Sequence, residues 1–333
     1  MSNGDSFRAL VLRDDGNKSY TGSIETLTND DLPEGDVLVA VEYSDVNYKD
    51  GLAVANKGKI VRKLPLVPGI DFAGTVLESS NDRFNAGDKV VLTGWGVGES
   101  YWGGYTQRQR TRGDWLVHLP EGLDTRAAMA VGTAGFTAMQ CVLGLEDGGV
   151  KPDSGPVVVT GAAGGVGSIA VAILAKLGYE VHAVTGRPET QEYLRSLGAV
   201  AFLSREEMAE KCRPLEKGRW AGAVDTVGST TLARVAAEML DWGTISACGL
   251  AGGFDLPTTV MPFILRGVRL QGINSVLVPI AERERIWARV VEDLPLDKLE
   301  ATVEEIGLDD LPERAEAIVR GQVRGRTVVD VNR

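Results

Sequence analysis

The chain has 333 residues, 44% of them hydrophobic and 24% charged, with a formal net charge of −11. These are ordinary values for a globular protein of one or two cores, and an acidic balance without a long basic run argues against nucleic acid as a partner. Three scattered cysteines without a CxxC spacing, and an opening MSNGDSFRAL with no apolar signal core, point to reduced thiols and a cytoplasmic chain; no apolar run is read as a membrane span.

From the N-terminus, short β-rich runs at 7–12, 36–43, 72–78, 89–93 and 115–118 alternate with glycine- and proline-marked turns such as Leu32-Pro33-Glu34-Gly35 and Ala86-Gly87-Asp88. That spacing predicts a largely antiparallel, barrel-like domain. From about residue 128 the pattern becomes alternating helix and strand. Strands are predicted at 157–160, 179–184, 200–203, 222–226, 244–249 and 268–273, with helices between them, for example 230–242 closed by Gly243 at its C′ position. Such alternation implies a doubly wound parallel sheet. After Pro279 a helix is expected over 281–294, and a final strand at 326–331 returns to the first domain. The expected division is 1–127 with 275–333 as one domain and 128–274 as the other.

The strongest local signal is VVVTGAAGGVG at 157–167, a β-branched run ending in glycines at 161, 164 and 167 and followed at once by SIAVAILAKLG at helical spacing. A strand, a tight turn and a helix N-terminus hold a pyrophosphate on backbone N–H groups, here those around Ala163, Gly164, Gly165 and Val166. An NAD-binding chain places an acid near the end of the next strand to accept from the ribose 2′-hydroxyl. Thr185, Gly186 and Arg187 stand there instead, a hydroxyl and a guanidinium suited to a 2′-phosphate. The expected cofactor is NADPH.

The whole chain resembles the medium-chain dehydrogenase/reductase superfamily. The resemblance is carried by AAGGVG at 162–167, PGIDFAG at 68–74, GTAGFTA at 132–138 and CGLAGG at 248–253. It implies a GroES-like barrel joined to a Rossmann nucleotide-binding domain. Where the zinc alcohol dehydrogenases carry a ligand histidine this chain has Ile70. It holds only two histidines, His118 and His182, and too few cysteines for a four-cysteine zinc lobe. The reading is therefore a zinc-independent reductase of the quinone-oxidoreductase-like branch, with no metal. Within that branch, NYKDGLA, GKIVRKLPLVPGIDFAGTV, LTGWGVGESYWGGYTQ and CGLAGGFDLPTTVMPFILRGVRLQG are similar to the NADPH-dependent acryloyl-CoA reductases. That similarity implies an acyl-CoA substrate and a homodimer. A quinone or enone reductase, and a non-catalytic NADPH-binding protein, are the competing readings.

Reduction of an α,β-unsaturated thioester requires a hydride at the β-carbon and a proton at the α-carbon, with charge on the thioester oxygen in between. In the resembling family a tyrosine at the position of Tyr48 contacts the cofactor; its ring either packs against the nicotinamide or its phenol supplies the proton. Asn47 and Asp50 are expected to order that loop, Lys49 to be solvated, and Asp71 to buttress neighbouring groups. Thr133 is placed at the nicotinamide end of the cofactor or as a helix cap. Arg205 is implied as a second 2′-phosphate contact, with Leu250, Ile264, Ser275 and, more weakly, Arg326 as further cofactor contacts. Two basic clusters are candidates for the coenzyme A phosphates, Lys57, Lys59, Arg62 and Lys63 in one and Arg108, Arg110 and Arg112 in the other. The second shares one face if the segment is extended. Trp95 and Trp102 in a glycine-rich loop are expected either to line the acyl pocket or to serve as aromatic packing.

Overall fold

The computed structural model describes residues 6–17 and 19–333. The chain divides into two compact units. Of the described residues, one comprises those between 6 and 133, 276–291 and 300–333, the other 134–275 and 292–299.

The first unit opens with β1 (Ser6–Asp14) and β2 (Tyr20–Thr28), a two-stranded antiparallel ribbon, then β3 (Val37–Asp45), the short helix α1 (Tyr48–Val54), β4 (Asp71–Ser79), β5 (Lys89–Thr93), β6 (Arg108–Thr111) and β7 (Val117–His118). Helix α2 (Thr125–Asp147) leads out of this unit. In the second unit six strands, β8 (Val157–Val159), β9 (Val181–Thr185), β10 (Ala201–Ser204), β11 (Trp220–Asp225), β12 (Met239–Ala247) and β13 (Arg269–Gly272), alternate with α3 (Gly165–Lys176), α4 (Gln191–Leu197), α5 (Arg205–Ala209), α6 (Ser229–Ala237) and α7 (Met261–Arg266). The remaining elements are α8 (Ile280–Asp293), α9 (Leu296–Glu300), β14 (Val303–Gly307), α10 (Leu311–Val319) and β15 (Arg326–Asp330).

In the first unit the large sheet runs β14-β15-β3-β4-β5-β7, with β6 also on β3; all its pairs are antiparallel except β14 with β15. Its core includes Val37, Val39, Val41, Phe72, Val76, Val90 and Leu92, residues at even spacing on three neighbouring strands. In the second unit all strands are parallel in the order β10-β9-β8-β11-β12-β13, the doubly wound Rossmann arrangement. Val157, Val158 and Val159 are all fully buried, because the central strand of such a sheet has helices on both faces.

Four readings of the sequence are corrected. The helix expected over 230–242 ends at Ala237, and β12 begins at Met239. The carbonyls that another helical turn would use are taken by other donors. Arg266 donates to the carbonyls of Ala237 and Met239, and the N–H groups of Arg219 and Trp220 donate to that of Glu238. Gly243 is thus no helix cap; the left-handed residue there is Trp242, at φ 64°. The run at 115–118 is strand only at Val117–His118, since Gly113–Trp115 forms a 3-10 turn. One helix, α2, is after all long and apolar enough to cross a membrane by length and composition; most of that stretch is buried inside the fold, as in the core helix of a globular protein. Finally, Arg112 lies beyond β6, so only Arg108 and Arg110 alternate with the buried Gln109 and Thr111.

Helix α2 breaks at Gly132, where φ is 52° and ψ −160°, a region that only glycine enters cheaply. A Cβ there would also strike the Asp45 carboxylate and lie 2.7 Å from Arg326 Nη2. Gly132→Ala is therefore expected to lower stability by roughly 2–4 kcal/mol, from backbone strain and a displaced buried ion pair. Denaturant unfolding of the two proteins checks this; a change under about 0.5 kcal/mol, the level of an ordinary surface substitution, would contradict it.

Candidate functional site

The second unit carries the nucleotide cradle. β8 delivers the chain into the turn 160–164, and Gly164 is the N-cap of α3. Gly167 must lack a side chain, because a Cβ there would collide with the carbonyl of Gly161. This contact draws the first turn of α3 tight against the loop and leaves the N–H groups of Gly165 and Val166 at the positive end of a twelve-residue helix. The loop is braced from below by Asp225, a fully buried residue. Its carboxylate accepts from the Thr160 hydroxyl at 2.7 Å and from the Gly228 N–H at 2.8 Å. Burial raises the Asp225 carboxyl above its ordinary range while these donors pull it back.

At the end of β9, Thr185 is buried and its hydroxyl is occupied within the turn. It accepts from the Arg187 N–H at 3.2 Å and lies 3.0 Å from the Thr190 hydroxyl. The expected Thr185 contact to phosphate gives way to a structural one, with Thr185 shaping the turn that presents Gly186 and Arg187. Arg205, first residue of α5, reaches back to the same place. A Cβ on Gly186 would lie 2.7 Å from Arg205 Nε and 2.8 Å from Cζ. The bare backbone at 186 thus makes room for the guanidinium, and the structure brings Arg187 and Arg205 together at one strand end. Leu250, following β12, and Ile264, on α7, are 66% and 70% exposed, apolar surface available to a ligand; Ser275 ends the long segment of this unit.

In the first unit the Tyr48 loop stands on a buried polar cluster. Asn47 is the N-cap of α1. Its backbone N–H donates to Asp50 at 2.9 Å, and its side-chain Nδ2 donates to Asp45 at 2.8 Å and to Asp71 at 2.9 Å. Asp50 also accepts from the Ile70 N–H at 2.9 Å. Asp71 accepts from the Thr133 N–H at 2.7 Å and the Thr133 hydroxyl at 2.5 Å. Arg326 pairs with Asp45 and donates to the Ala130 carbonyl at 2.9 Å and to Asn47 Oδ1 at 3.2 Å. Asp45, Asp50 and Asp71 are all buried. Burial, with the charge of Asp71 adding to it, pushes the Asp45 carboxyl well above the usual range, and Arg326 opposes the shift. Burial likewise pushes Asp50 up to about 7, against its two N–H donors. Three carboxyls around one guanidinium favour retention of a proton on the cluster.

Several expectations change here. Arg326, expected at the cofactor, is 3% exposed and committed to Asp45; an arginine paired beneath the loop is not available to a phosphate. Lys49 is not simply solvated, because its ammonium lies 2.8 Å from Glu99. Lys57 is paired with Glu316 at 2.5 Å, whereas Lys59 and Arg62 remain exposed. Arg108 donates to Asn29 at 2.9 Å, and Arg112 lies over Trp115 and Tyr101. Trp102 donates to the Pro65 carbonyl and packs against the core of this unit. Trp95, at φ 57°, stacks on Trp115 at 6.3 Å and lies under the Arg283 guanidinium at 5.0 Å. Tyr48 itself is 49% exposed. Asp45, Asp225 and the break at Gly132 were not singled out from sequence. An acid closing an apolar strand is the one signal that marks Asp45 and Asp225.

Because burial raises the folded-state value of Asp50 above that of the unfolded chain, protonated Asp50 favours folding. The contribution is complete below about pH 4, the unfolded value, and is lost as pH rises through about 7. Thermal stability is expected to fall across that upper range in the wild type and to fall less in Asp50→Asn; identical pH profiles for the two proteins would contradict the assignment.

Comparison with known proteins agrees with this geometry. The alcohol dehydrogenase GroES-like domain model matches residues 33–121, and the zinc-binding dehydrogenase model matches residues 165–292. Among the described residues no three His, Cys, Asp or Glu side chains are grouped to hold a metal ion. An acrylyl-CoA reductase of Ruegeria pomeroyi is 60% identical over 328 residues, covering 98% of this chain and 99% of that one. The crystal structure of an oxidoreductase from Salmonella enterica in complex with NADP matches with a TM-score of 0.95 at 58% identity, over 97% of this chain and 99% of that one. An Escherichia coli structure with bound NADPH matches at 0.94 and 57% identity, over 97% of this chain and all of its own. The chain belongs to the medium-chain dehydrogenase/reductase superfamily, together with the acrylyl-CoA reductases and quinone-oxidoreductase-like relatives.

Proposed function

We infer that the chain is an NADPH-dependent acryloyl-CoA reductase, converting acryloyl-CoA to propanoyl-CoA without a metal. The observation that carries this reading is 60% identity to an acrylyl-CoA reductase over essentially the full length of both chains. The residues present fit the cofactor. The first turn of α3, held close by the Gly167–Gly161 contact, suits the pyrophosphate. Arg187 and Arg205 share the end of β9, where the 2′-phosphate that distinguishes NADPH belongs.

When bound, NADPH supplies the hydride that reaches the substrate β-carbon. Tyr48, the first residue of α1, offers a half-exposed ring to pack against the nicotinamide while Asn47 and Asp50 fix its backbone. The α-carbon takes its proton from solvent or the cofactor's ribose, the Tyr48 ring serving to position rather than to donate. Thr133 presents its backbone from the Gly132 break with its hydroxyl anchored to Asp71. Lys59 and Arg62, exposed, and Arg108 are the cations assigned to the coenzyme A phosphates. Trp95 is assigned to the acyl pocket.

The enzyme acts as a homodimer in the cytoplasm. Support for the dimer is the edge strand β13, all four of whose residues are exposed, beside the exposed Val260, Ile264 and Leu265 of the α7 segment. An open sheet edge and exposed apolar side chains are aggregation hazards unless a partner covers them. The three free thiols agree with a reducing compartment.

NADPH oxidation measured side by side with acryloyl-CoA, crotonyl-CoA and a simple quinone tests the activity; equal or better efficiency with the quinone would overturn it. Arg187→Ala is expected to weaken NADPH binding about tenfold or more and leave NADH nearly unchanged, because a charge-assisted bond contributes roughly 1.5–3 kcal/mol. Equal losses for both cofactors would refute the 2′-phosphate assignment. Tyr48→Phe keeps the ring, so kcat is expected to fall only about tenfold, whereas a phenolic proton donor would cost roughly 10²–10⁴.

A further inference from the structure

Asp71 is the one residue of the buried cluster that touches both Asn47 and Thr133. It is fully buried at the start of β4. Its Oδ2 accepts from Asn47 Nδ2 at 2.9 Å and from the Thr133 N–H at 2.7 Å, and its Oδ1 accepts from the Thr133 hydroxyl at 2.5 Å. Asn47 caps the helix whose first residue is Tyr48, and Thr133 follows the break at Gly132. Among the described residues Asn47 and Thr133 share no hydrogen bond with each other; their link is this carboxylate. Asp71 is itself held in place, since its own carbonyl accepts from the Ser44 hydroxyl at 2.7 Å. Arg326 and Asp45 brace Asn47 from the other side.

We propose that Asp71 is a positioning residue that locks the Tyr48 helix start and Thr133 into one rigid element. This rests on the reading of Tyr48 and Thr133 as cofactor contacts. A carboxylate receiving three donors from two segments is fixed in orientation, which suits it to holding geometry. Arg326 already joins Asn47 to the carbonyl of Ala130, but that bond lies before the break at Gly132 and leaves Thr133 itself unfixed. One shared, charge-assisted acceptor removes that freedom. An uncharged side chain does not reproduce it in full: in Asp71→Asn one oxygen can still accept from Asn47 Nδ2 and the Thr133 N–H, but the NH₂ must reverse the third bond by donating to the Thr133 hydroxyl oxygen, and all three lose their charge assistance.

The test combines turnover with amide hydrogen exchange. Asn47→Ser, which keeps a helix cap, and Thr133→Val are made singly and together, in both the wild-type and Asp71→Asn backgrounds, with Thr133→Ser as the conservative control. Asp71→Asn is expected to lower kcat for acryloyl-CoA about 10–100-fold with KM within about threefold, the signature of misplacement rather than lost binding. Thr133→Ser, which keeps the hydroxyl donated to Asp71, should retain more of kcat than Thr133→Val and should leave amide exchange at residues 48–50 slower than Thr133→Val does. The Asn47→Ser and Thr133→Val losses should be non-additive when Asp71 is present and additive when it is replaced. Thr133→Val alone should also speed amide exchange at residues 48–50, a readout that needs no turnover. Additive losses in both backgrounds, or exchange at 48–50 unchanged by Thr133→Val, would overturn the proposal. If Asp71→Asn does not fold, the exchange comparison of Thr133→Val with Thr133→Ser decides it alone. Failure of the wild type to reduce acryloyl-CoA would refute the functional reading, whereas the exchange result would still decide the coupling.

Discussion

The first unit is organised around the buried pair of Asp45 and Arg326. A guanidinium placed in a core requires its donors to be used, and Arg326 uses them on Asp45, Asn47 and the Ala130 carbonyl. Three parts of the chain are thereby tied together: the end of β3, the start of α2 and the start of β15. β15 also pairs with β3 in the sheet, so the C-terminal segment belongs to the unit both by its backbone ladder and by its charge. The absence of a side chain at Gly132 is what lets α2 pass so close to this pair. Replacing the pair with apolar residues can leave a core as stable as before. Its retention is better explained by what it carries: the side chain of Asn47, hence the helix start that bears Tyr48.

The surrounding carboxyls make the cluster electrostatically unusual. Asp50 and Asp71 add two acids to a site already neutralised by one pair, and the phenol of Tyr105, donating to the Asp45 carbonyl at 2.9 Å, has its own pKa driven up by burial and by these carboxyls. Such groups are tolerated only when nearly every lone pair is met by a donor. Here the donors are mostly backbone N–H groups and one asparagine, which hold geometry without supplying charge. The result is a rigid floor under the loop.

The second unit solves a different problem, recognition of an anion by an acidic chain. It does so locally. Helix α3 has no acidic residue in its first turn, and two arginines from separate elements converge where β9 ends. The overall charge of −11 is then of little consequence, because a close, directional contact outweighs a screened distant field.

Local patterns were legible from the residues alone. The valine run before the glycines marked β8, and the absence of an acid after β9 pointed to NADPH. Each of these depends on short-range geometry or on the chemical identity of a side chain, both of which the sequence states directly. Whole stretches of the long motifs also carried the superfamily and the acyl-CoA reductase branch. What escaped the sequence were outcomes of competition between distant groups. The helix at 229–237 stops early because Arg266, Arg219 and Trp220 capture its last carbonyls. Arg326 turns inward because Asp45, 281 residues away, is buried there. Lys49 and Lys57 find Glu99 and Glu316. Thr185 spends its hydroxyl on its own turn. A side chain's type determined what it was able to bind; the tertiary structure decided which partner reached it first, because burial makes every unmet polar group costly and satisfies it from whatever the fold brings within about 3 Å.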